Sequence, residues 1–151
     1  MKAHEIMKHD VVKVKEASNV RSVIEKFIEK GISGMPIVNE KDEMVAYISD
    51  GDIMRFIGKQ KDYVIDMIAF VNVVAGEQGD FNERTRRILD LNVLEIAKKR
   101  YIKVNWDDDI EDVAAILGRK QVKKLPVERD GVLIGIISRG DVIRDAFKAL
   151  L

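Results

Sequence analysis

The 151-residue chain contains no cysteine, and this absence excludes disulfide bridges, thiolate nucleophiles and cysteine-based zinc sites. It also has no net charge, because 26 basic and 26 acidic side chains cancel, so no overall field attracts nucleic acid or a membrane surface. Its most apolar stretch, residues 64–76, is shorter than the roughly 20 residues that cross a bilayer. We therefore expect a soluble, cytoplasmic protein with neither nucleic acid nor a membrane as a partner.

Proline is nearly as scarce, and its two copies indicate how the chain is organised. Pro36 and Pro126 stand 90 positions apart. Around them, residues 34–38 (Gly-Met-Pro-Ile-Val) correspond to residues 124–128 (Lys-Leu-Pro-Val-Glu). Self-similarity at a fixed offset is the signature of an internal repeat, which decides the fold before any single motif does.

The correspondence continues beyond the prolines, where residues 45–55 match residues 134–144 at an offset of 89. A match of this length indicates a duplication of about 50 residues. We predict a first repeat over residues 1–57 and a second over residues 96–151, with residues 58–95 inserted between them.

Within each repeat, the residue pattern predicts the order strand, helix, strand, strand, helix. In the first repeat, a β-branched run precedes an amphipathic helix over residues 18–30 with Ser18 as its N-cap, and a second helix begins near Asp52. In the second repeat, Asp108 is expected to cap the equivalent first helix. One such unit is too small to bury its own sheet and helices. We therefore predict an α+β (mixed α/β) fold of two tandem β-α-β-β-α repeats, packed as a pseudo-twofold pair.

The inserted residues 58–95 match neither repeat. Apolar residues concentrate in residues 62–75, a Gly-containing stretch follows at residues 76–80, and residues 82–92 are compatible with a helix. The pattern predicts two helices joined by a turn, an extra helical insertion between the repeats.

These features resemble the CBS (cystathionine β-synthase) domain family, whose members carry the repeat in pairs that are sometimes called Bateman modules. The family pattern is a hydrophobic-Pro-hydrophobic run followed by Gly-hydrophobic-hydrophobic-Ser/Thr-x-x-Asp. The second repeat carries it in full in residues 124–127 and 135–141. The first repeat carries it in residues 34–37 and 46–52, with Ala46 where the family has glycine.

The resemblance implies a regulatory, non-catalytic module that binds an adenine nucleotide (AMP, ADP or ATP) in the cleft between its repeats. S-adenosylmethionine or a cyclic dinucleotide would be a second choice of ligand, and no cofactor would be required. It also implies a homodimer and a regulated protein partner that the sequence does not identify. The alternative is a dimerisation or interaction scaffold without a ligand, for which residues 58–95 would form the partner surface.

The resemblance implies that Asp52 and Asp141 accept hydrogen bonds from the ribose hydroxyls. It places the hydroxyls of Ser49 and Ser138 near the ribose or the phosphate. A carboxylate can accept two hydrogen bonds from a cis-diol, and its charge strengthens both. The same Ser-x-x-Asp pattern is also a capping box at a helix N-terminus. Both interpretations stay open at this point, and they are compatible.

In this family the segments before the two prolines would line the base: Ile32, Ser33, Gly34, Met35 and Pro36 in the first repeat, and Val122, Lys123, Lys124, Leu125 and Pro126 in the second. Core packing at the start of a strand is an alternative role, above all for the methionine and the leucine. Lys123, Lys124 and Arg139 have no basic counterpart in the first repeat. We therefore expect the cleft around Asp141 to prefer the more phosphorylated ligand, although a solvated charged surface would explain the same residues.

Signals for other chemistry are weak. The sequence has no Gly-Lys-Ser/Thr phosphate loop, no His-Glu-x-x-His and no Gly-x-Ser-x-Gly motif, so we expect neither a catalytic residue set nor a metal site. The acidic run at residues 107–109 is more simply explained by the preference of acids for a helix N-terminus.

Overall fold

The computed structural model of the chain describes residues 1–59 and 80–151. The first part contains α1 (Ala3–Ile6), β1 (Val14–Lys15), α2 (Val20–Lys30), β2 (Gly34–Val38), β3 (Met44–Ser49) and α3 (Asp50–Ile57). The second part contains α4 (Phe81–Ile88), a 3-10 turn (Val93–Glu95), β4 (Val104–Asn105), α5 (Ile110–Arg119), β5 (Lys124–Arg129), β6 (Val132–Ser138) and α6 (Arg139–Phe147). The predicted α+β class is confirmed, and both repeats have the order strand, helix, strand, strand, helix.

Each repeat forms its own three-stranded sheet, in the order β1-β2-β3 or β4-β5-β6. The first two strands of each sheet are parallel, and the last two are antiparallel. The prolines precede Ile37 and Val127, the residues that pair with the short first strands. The prolines therefore stand outside the parallel part of the ladder, where their missing N–H group is tolerated.

The ends of the helices differ from the sequence expectation by one or two residues. Asn19, not Ser18, caps α2, and its side-chain oxygen accepts a hydrogen bond from the Ser22 backbone N–H at 3.3 Å. Helix α5 begins one residue after Asp109, and the Asp108 carboxylate instead accepts from the Asn105 backbone N–H at 2.9 Å. The expected caps at Ser18 and Asp108 are therefore wrong, because several neighbouring polar residues compete for each cap.

The core of each repeat includes apolar residues from the segment that leads into the first strand of the other repeat. Ala3 and Met7 are buried in the core of the second repeat, whereas Val93 is buried in the core of the first. Equivalent backbone hydrogen bonds hold the two segments, from Ala3 N–H to the Asp108 carbonyl at 2.9 Å and from Val93 N–H to the Ser18 carbonyl at 3.0 Å. The two repeats are therefore interlocked.

The same exchange explains why the first repeat carries Ala46 where the second carries Gly135. A Cβ atom on Gly135 would approach Sδ of Met7 and would lie 2.8 Å from its Cγ and 3.0 Å from the Lys8 carbonyl oxygen. At the position equivalent to Met7, the chain has Ala97, which packs against the first core. The shorter side chain of Ala97 leaves room for the methyl group of Ala46.

A third apolar cluster joins the two sheets. Val38, Met44 and Leu133 are buried together, and the Leu133 backbone N–H donates to the Asp42 carbonyl at 2.9 Å. This contact brings together the β2–β3 turn and the start of β6, so the sheets of the two repeats lie side by side.

Of the predicted insertion, the structure describes residues 58, 59 and 80–95. The helix expected over residues 82–92 is present as α4, but it begins and ends earlier, and it packs on α3 through a hydrogen bond of 2.9 Å from Nε of Arg84 to the Ile57 carbonyl. The other expected helix and most of the turn lie in residues 60–79, outside the described residues. Among the helices that the structure describes, none is long and apolar enough to cross a membrane.

Candidate ligand-binding cleft

A cavity of about 500 Å³ opens between the two repeats, within the range of small-molecule sites. Its walls come from β2, β3 and α3 of the first repeat, from residues 98–102 before β4, and from residues 121–126 of the second repeat. We call it the Asp52 cleft after the buried carboxylate at the start of α3.

Many of the residues expected at a site meet in this cleft: Ser33, Gly34, Ser49, Asp52, Val122, Lys123, Lys124 and Pro126. Met35 and Leu125 are instead completely buried in the two cores, and Ile32 packs against the first core. Pro36 is also buried. For Met35 and Leu125, the structure therefore supports the role in core packing.

Asp52 caps its own helix and also faces the cleft. One carboxylate oxygen accepts hydrogen bonds from the backbone N–H and the hydroxyl of Ser49, at 2.9 and 3.2 Å. The other oxygen pairs with the guanidinium of Arg55. The Asp52 side chain is 1% exposed and that of Arg55 is 60% exposed, so the arginine covers the carboxylate from the solvent side. The capping and ligand-binding interpretations are therefore compatible in this geometry.

Asp141 repeats this arrangement with one additional partner. Ser138 N–H donates to its carboxylate at 2.9 Å, and Arg144 does so at 2.8 Å. In addition, Nζ of Lys8 lies 3.7 Å from Oδ1. Burial alone would raise the pKa of Asp141, but the hydrogen bonds of Ser138 and the charges of Lys8 and Arg144 outweigh burial and hold that pKa below its ordinary value.

Lys8 and Lys98 are equivalent residues with different side-chain contacts. The Lys8 backbone exchanges hydrogen bonds of 2.9 Å with Ile136, and the Lys98 backbone does the same with Tyr47 at 2.9 and 3.0 Å. The Lys98 side chain lines the Asp52 cleft but forms no ion pair with Asp52. The chain's own lysine thus pairs with Asp141, whereas Asp52 has Arg55 as its cationic partner.

The basic residues of the second repeat are not arranged as expected. Lys123 and Lys124 line the Asp52 cleft, because the segments before the two prolines converge at the junction between the repeats. The guanidinium of Arg139 donates to the carbonyls of Leu117 and Lys120 at the end of α5, at 3.1 and 3.2 Å. Both lysines also lie beside the Asp141 motif, because Lys124 pairs with Ser138 in the sheet and the Arg139 N–H donates to the Lys123 carbonyl at 3.0 Å. The expected preference of these surroundings for a more phosphorylated ligand stays a prediction.

Several residues in the cleft were not expected from the sequence: Tyr47, Asp50, Lys98, Arg100, Tyr101, Ile102 and Gln121. Tyr47 lies so close to Gly34 that a Cβ atom there would be 2.7 Å from Oη. Burial, aided by the negative charge of Asp50, raises the pKa of the Tyr47 phenol. The repeat alignment offered a signal for Lys98, because it matches Lys8 at the offset of 90.

The acidic run before α5 serves local structure. Lys2 and Asp109 form an ion pair of 2.7 Å. Within residues 1–59 and 80–151, no group of three or more histidine or acidic side chains is placed to hold a metal ion.

Comparison with known proteins gives consistent matches. The family model described as CBS domain matches residues 3–59 and 93–148. Uncharacterized protein MJ1426 of Methanocaldococcus jannaschii is 31% identical over 147 residues, which cover 92% of this chain and 87% of that protein. MJ1225 of the same organism is 27% identical over 142 residues, 93% of this chain. The chain spans 41% of the length of MJ1225 and 58% of that of chloroplastic CBSX2 of Arabidopsis thaliana.

Solved structures share the whole fold. The crystal structure of MJ1225 superposes with a TM-score of 0.78 at 24% identity, covering 99% of this chain and 51% of that one. CBSX2 in complex with AMP superposes with a TM-score of 0.72 at 22% identity, covering 99% of this chain and 98% of that one.

Proposed function

The chain belongs to the CBS-domain family, and from this premise we propose that it is a regulatory, non-catalytic module that binds an adenine nucleotide in the Asp52 cleft. The observation that carries the proposal is the buried carboxylate of Asp52, which faces a cavity of about 500 Å³ built by both repeats. AMP, ADP and ATP share the adenosine group that this cavity would hold, and S-adenosylmethionine is a second choice. No cofactor is required for binding.

The ribose would bind at Asp52. Its hydroxyls would donate to the carboxylate oxygen that now pairs with Arg55, while the other oxygen keeps its hydrogen bonds from Ser49. Arg55 is largely exposed, so its guanidinium can turn into solvent and stay hydrated while the ribose hydroxyls take its place. The exchange replaces one charged partner by two hydroxyl donors, so the buried carboxylate stays satisfied.

The base would lie against the apolar and aromatic part of the cleft. Tyr47, Ile102 and Val122 supply this surface, and Gly34 keeps the approach to Tyr47 open. Aromatic and aliphatic side chains around a few polar groups are the usual composition of a small-molecule site. The AMP complex of CBSX2, a protein with the same fold, supports an adenine nucleotide as the ligand.

We also propose that the module is a homodimer. Met54 on α3 and Ile143 on α6 occupy equivalent positions of the two repeats, and each is 58% exposed. Ile143 also borders an apolar groove of about 370 Å³ beside Leu117 and Val142. An apolar surface that repeats with the pseudo-twofold symmetry of the molecule suits a second copy of the chain. Light scattering on the wild type and on Ile143→Lys tests this, with a monomer expected for the variant.

The function itself is tested by thermal unfolding of the full chain with AMP, ADP, ATP, S-adenosylmethionine or a cyclic dinucleotide. A ligand at about 100 times its Kd stabilises the folded state by roughly 2.7 kcal/mol. We expect the melting temperature to rise with at least one adenine nucleotide, and to rise less with the cytidine nucleotide of the same phosphate number at the same concentration. Unchanged melting temperatures with every adenosine-containing compound would contradict the proposal and favour the ligand-free interaction scaffold.

A further inference from the structure

The Asp52 cleft carries a surplus of positive charge. Lys98, Arg100, Lys123 and Lys124 line it, and all four are exposed at its walls. Its acidic residues are Asp50 and Asp52, and the second already pairs with Arg55. Four cations therefore face one unpaired carboxylate, which leaves a surplus of three positive charges.

The four cations of the cleft are not neutralised by neighbouring acids. Other basic side chains of the described residues do form ion pairs, as Lys2 does with Asp109, Lys13 with Asp42 and Arg144 with Asp141. None of the four cations in the cleft takes part in any ion pair of the described residues. Like charges gathered in a concave wall repel one another and create a strong local potential, which a polyanion would relieve.

We infer that the ligand of the Asp52 cleft carries a chain of two or more phosphates, so that a nucleoside di- or triphosphate binds in preference to a monophosphate. The inference rests on the proposed function for the adenosine part of the ligand and adds the class of its anionic part. One phosphate brings about two negative charges at neutral pH, and each further phosphate adds at least one. A longer chain thus matches the surplus charge, and guanidinium and ammonium groups both bind phosphate oxygens.

The other aspartate provides an internal comparison. At the repeat offset of 90, the residues equivalent to the four cations are Lys8, Asp10, Ser33 and Gly34. Before the first strand, Lys8 already pairs with Asp141 and Asp10 is acidic, whereas Lys98 and Arg100 are cations without an ion pair among the described residues. This difference favours the Asp52 cleft over the surroundings of Asp141 as the position of a polyphosphate.

The inference is tested by calorimetric titration of the full chain, without magnesium, with adenosine, AMP, ADP, ATP and sodium tripolyphosphate. We expect one ATP per chain, an affinity for ATP about tenfold or more above that for AMP, and a steep loss of ATP affinity with added salt. Tripolyphosphate alone should compete with ATP.

The possible outcomes separate the two claims. AMP binding as tightly as ATP would overturn the inference and leave the proposed function standing. Tripolyphosphate and guanosine triphosphate binding as tightly as ATP would support the inference and overturn adenine recognition. An absence of binding by every compound would overturn both.

A pair of matched variants localises the effect. Lys123→Gln/Lys124→Gln removes two cations of the cleft, and Lys30→Gln/Lys41→Gln removes two exposed lysines outside it. We expect the first variant to lose about tenfold in ATP affinity while its affinity for adenosine is unchanged, and the second to keep both affinities. An equal loss for adenosine and ATP in the first variant would mean that these lysines act through the fold, and it would overturn the inference.

Discussion

Asp52 and Asp141 lie in the first turns of equivalent helices, but their surroundings differ. Each carboxylate accepts a hydrogen bond of 2.9 Å from the backbone of its own serine and pairs with an arginine three residues later. Only Asp141 has a lysine beside it as well, Lys8 at 3.7 Å. The position of one lysine side chain therefore makes two similar sites chemically different.

The contacts of Asp141 give a pH dependence with a defined sign. Because its pKa is below the ordinary value in the folded state, Asp141 stabilises the fold above the unfolded pKa, and this stabilisation is lost as the pH falls through the folded pKa. We expect Asp141→Asn to be less stable than the wild type at pH 7 and to lose less stability on acidification to pH 3. Urea unfolding at the two pH values measures this.

In the same series, Lys8→Met should raise the pKa of Asp141 toward its ordinary value, since one favourable charge is removed. Carbon-detected NMR titration of the Asp141 carboxyl reports this directly, with Lys148→Met as a control that removes a lysine paired with Asp145. A pKa that is unchanged by Lys8→Met would contradict the assignment of Lys8 as a partner.

Tyr47 and Gly34 are in such close contact that the tyrosine side chain limits which residue can stand at position 34. Gly34→Ala would force the Tyr47 hydroxyl to move, because the new Cβ atom would lie 2.7 Å from it. We expect weaker nucleotide binding and a lower melting temperature. Adding Tyr47→Ile, which reproduces Ile136 of the second repeat, should restore the melting temperature. No recovery in the double variant would show that the tyrosine is not what limits this position.

At the scale of elements, the short segments before β1 and β4 contribute to the stability of the fold, because they supply buried residues to the opposite repeat. The sequence predicted the order of helices and strands because periodicity and β-branched residues are local signals. It did not predict that Met7 and Val93 belong to the core of the opposite repeat, because that exchange depends on packing between distant segments. Helix α3 begins at Asp50, two residues before Asp52, because the carboxylate that signals the start lies inside the first turn.

The exchange of segments predicts an energetic coupling between Met7 and Gly135. Gly135→Ala should cost about 1–3 kcal/mol by overpacking against Met7. Met7→Ala should cost about 2–5 kcal/mol because it opens a cavity. The double variant recreates the Ala97 and Ala46 pair of the first repeat, so it should be clearly more stable than the sum of the two losses implies. Urea unfolding of the four proteins measures the coupling, and additive losses would contradict the explanation given for Ala46.

At the scale of the whole molecule, the interlocked cores make the repeats one folding unit. The candidate site depends on the same fact, because its aspartate comes from one repeat and its lysines from the other. The sequence identified the residues of the two motifs but did not predict that Lys123 and Lys124 line the same cleft as Asp52. Local patterns carry no information on which face of one repeat meets the other, and only the packed pair brings these side chains together.

Cooperative unfolding follows from this arrangement. Val93→Ala removes buried apolar surface from the core of the first repeat and should cost about 2 kcal/mol. Trp106, the only tryptophan, packs against the core of the second repeat. We expect the urea transition measured by tryptophan fluorescence to shift as far as that measured by circular dichroism. A fluorescence transition left in place while the dichroism shifts would show that the repeats unfold separately.

The most direct measurement is a calorimetric titration of ATP into the wild type, Asp52→Asn and Asp141→Asn. Asparagine retains a side-chain acceptor for the helix cap but loses the charge that would hold the ribose. We predict one ATP per chain in the wild type, a loss of about tenfold or more in affinity in Asp52→Asn, and a near-normal affinity in Asp141→Asn. Unchanged binding in Asp52→Asn, or a larger loss in Asp141→Asn, would contradict the assignment of the site to the Asp52 cleft.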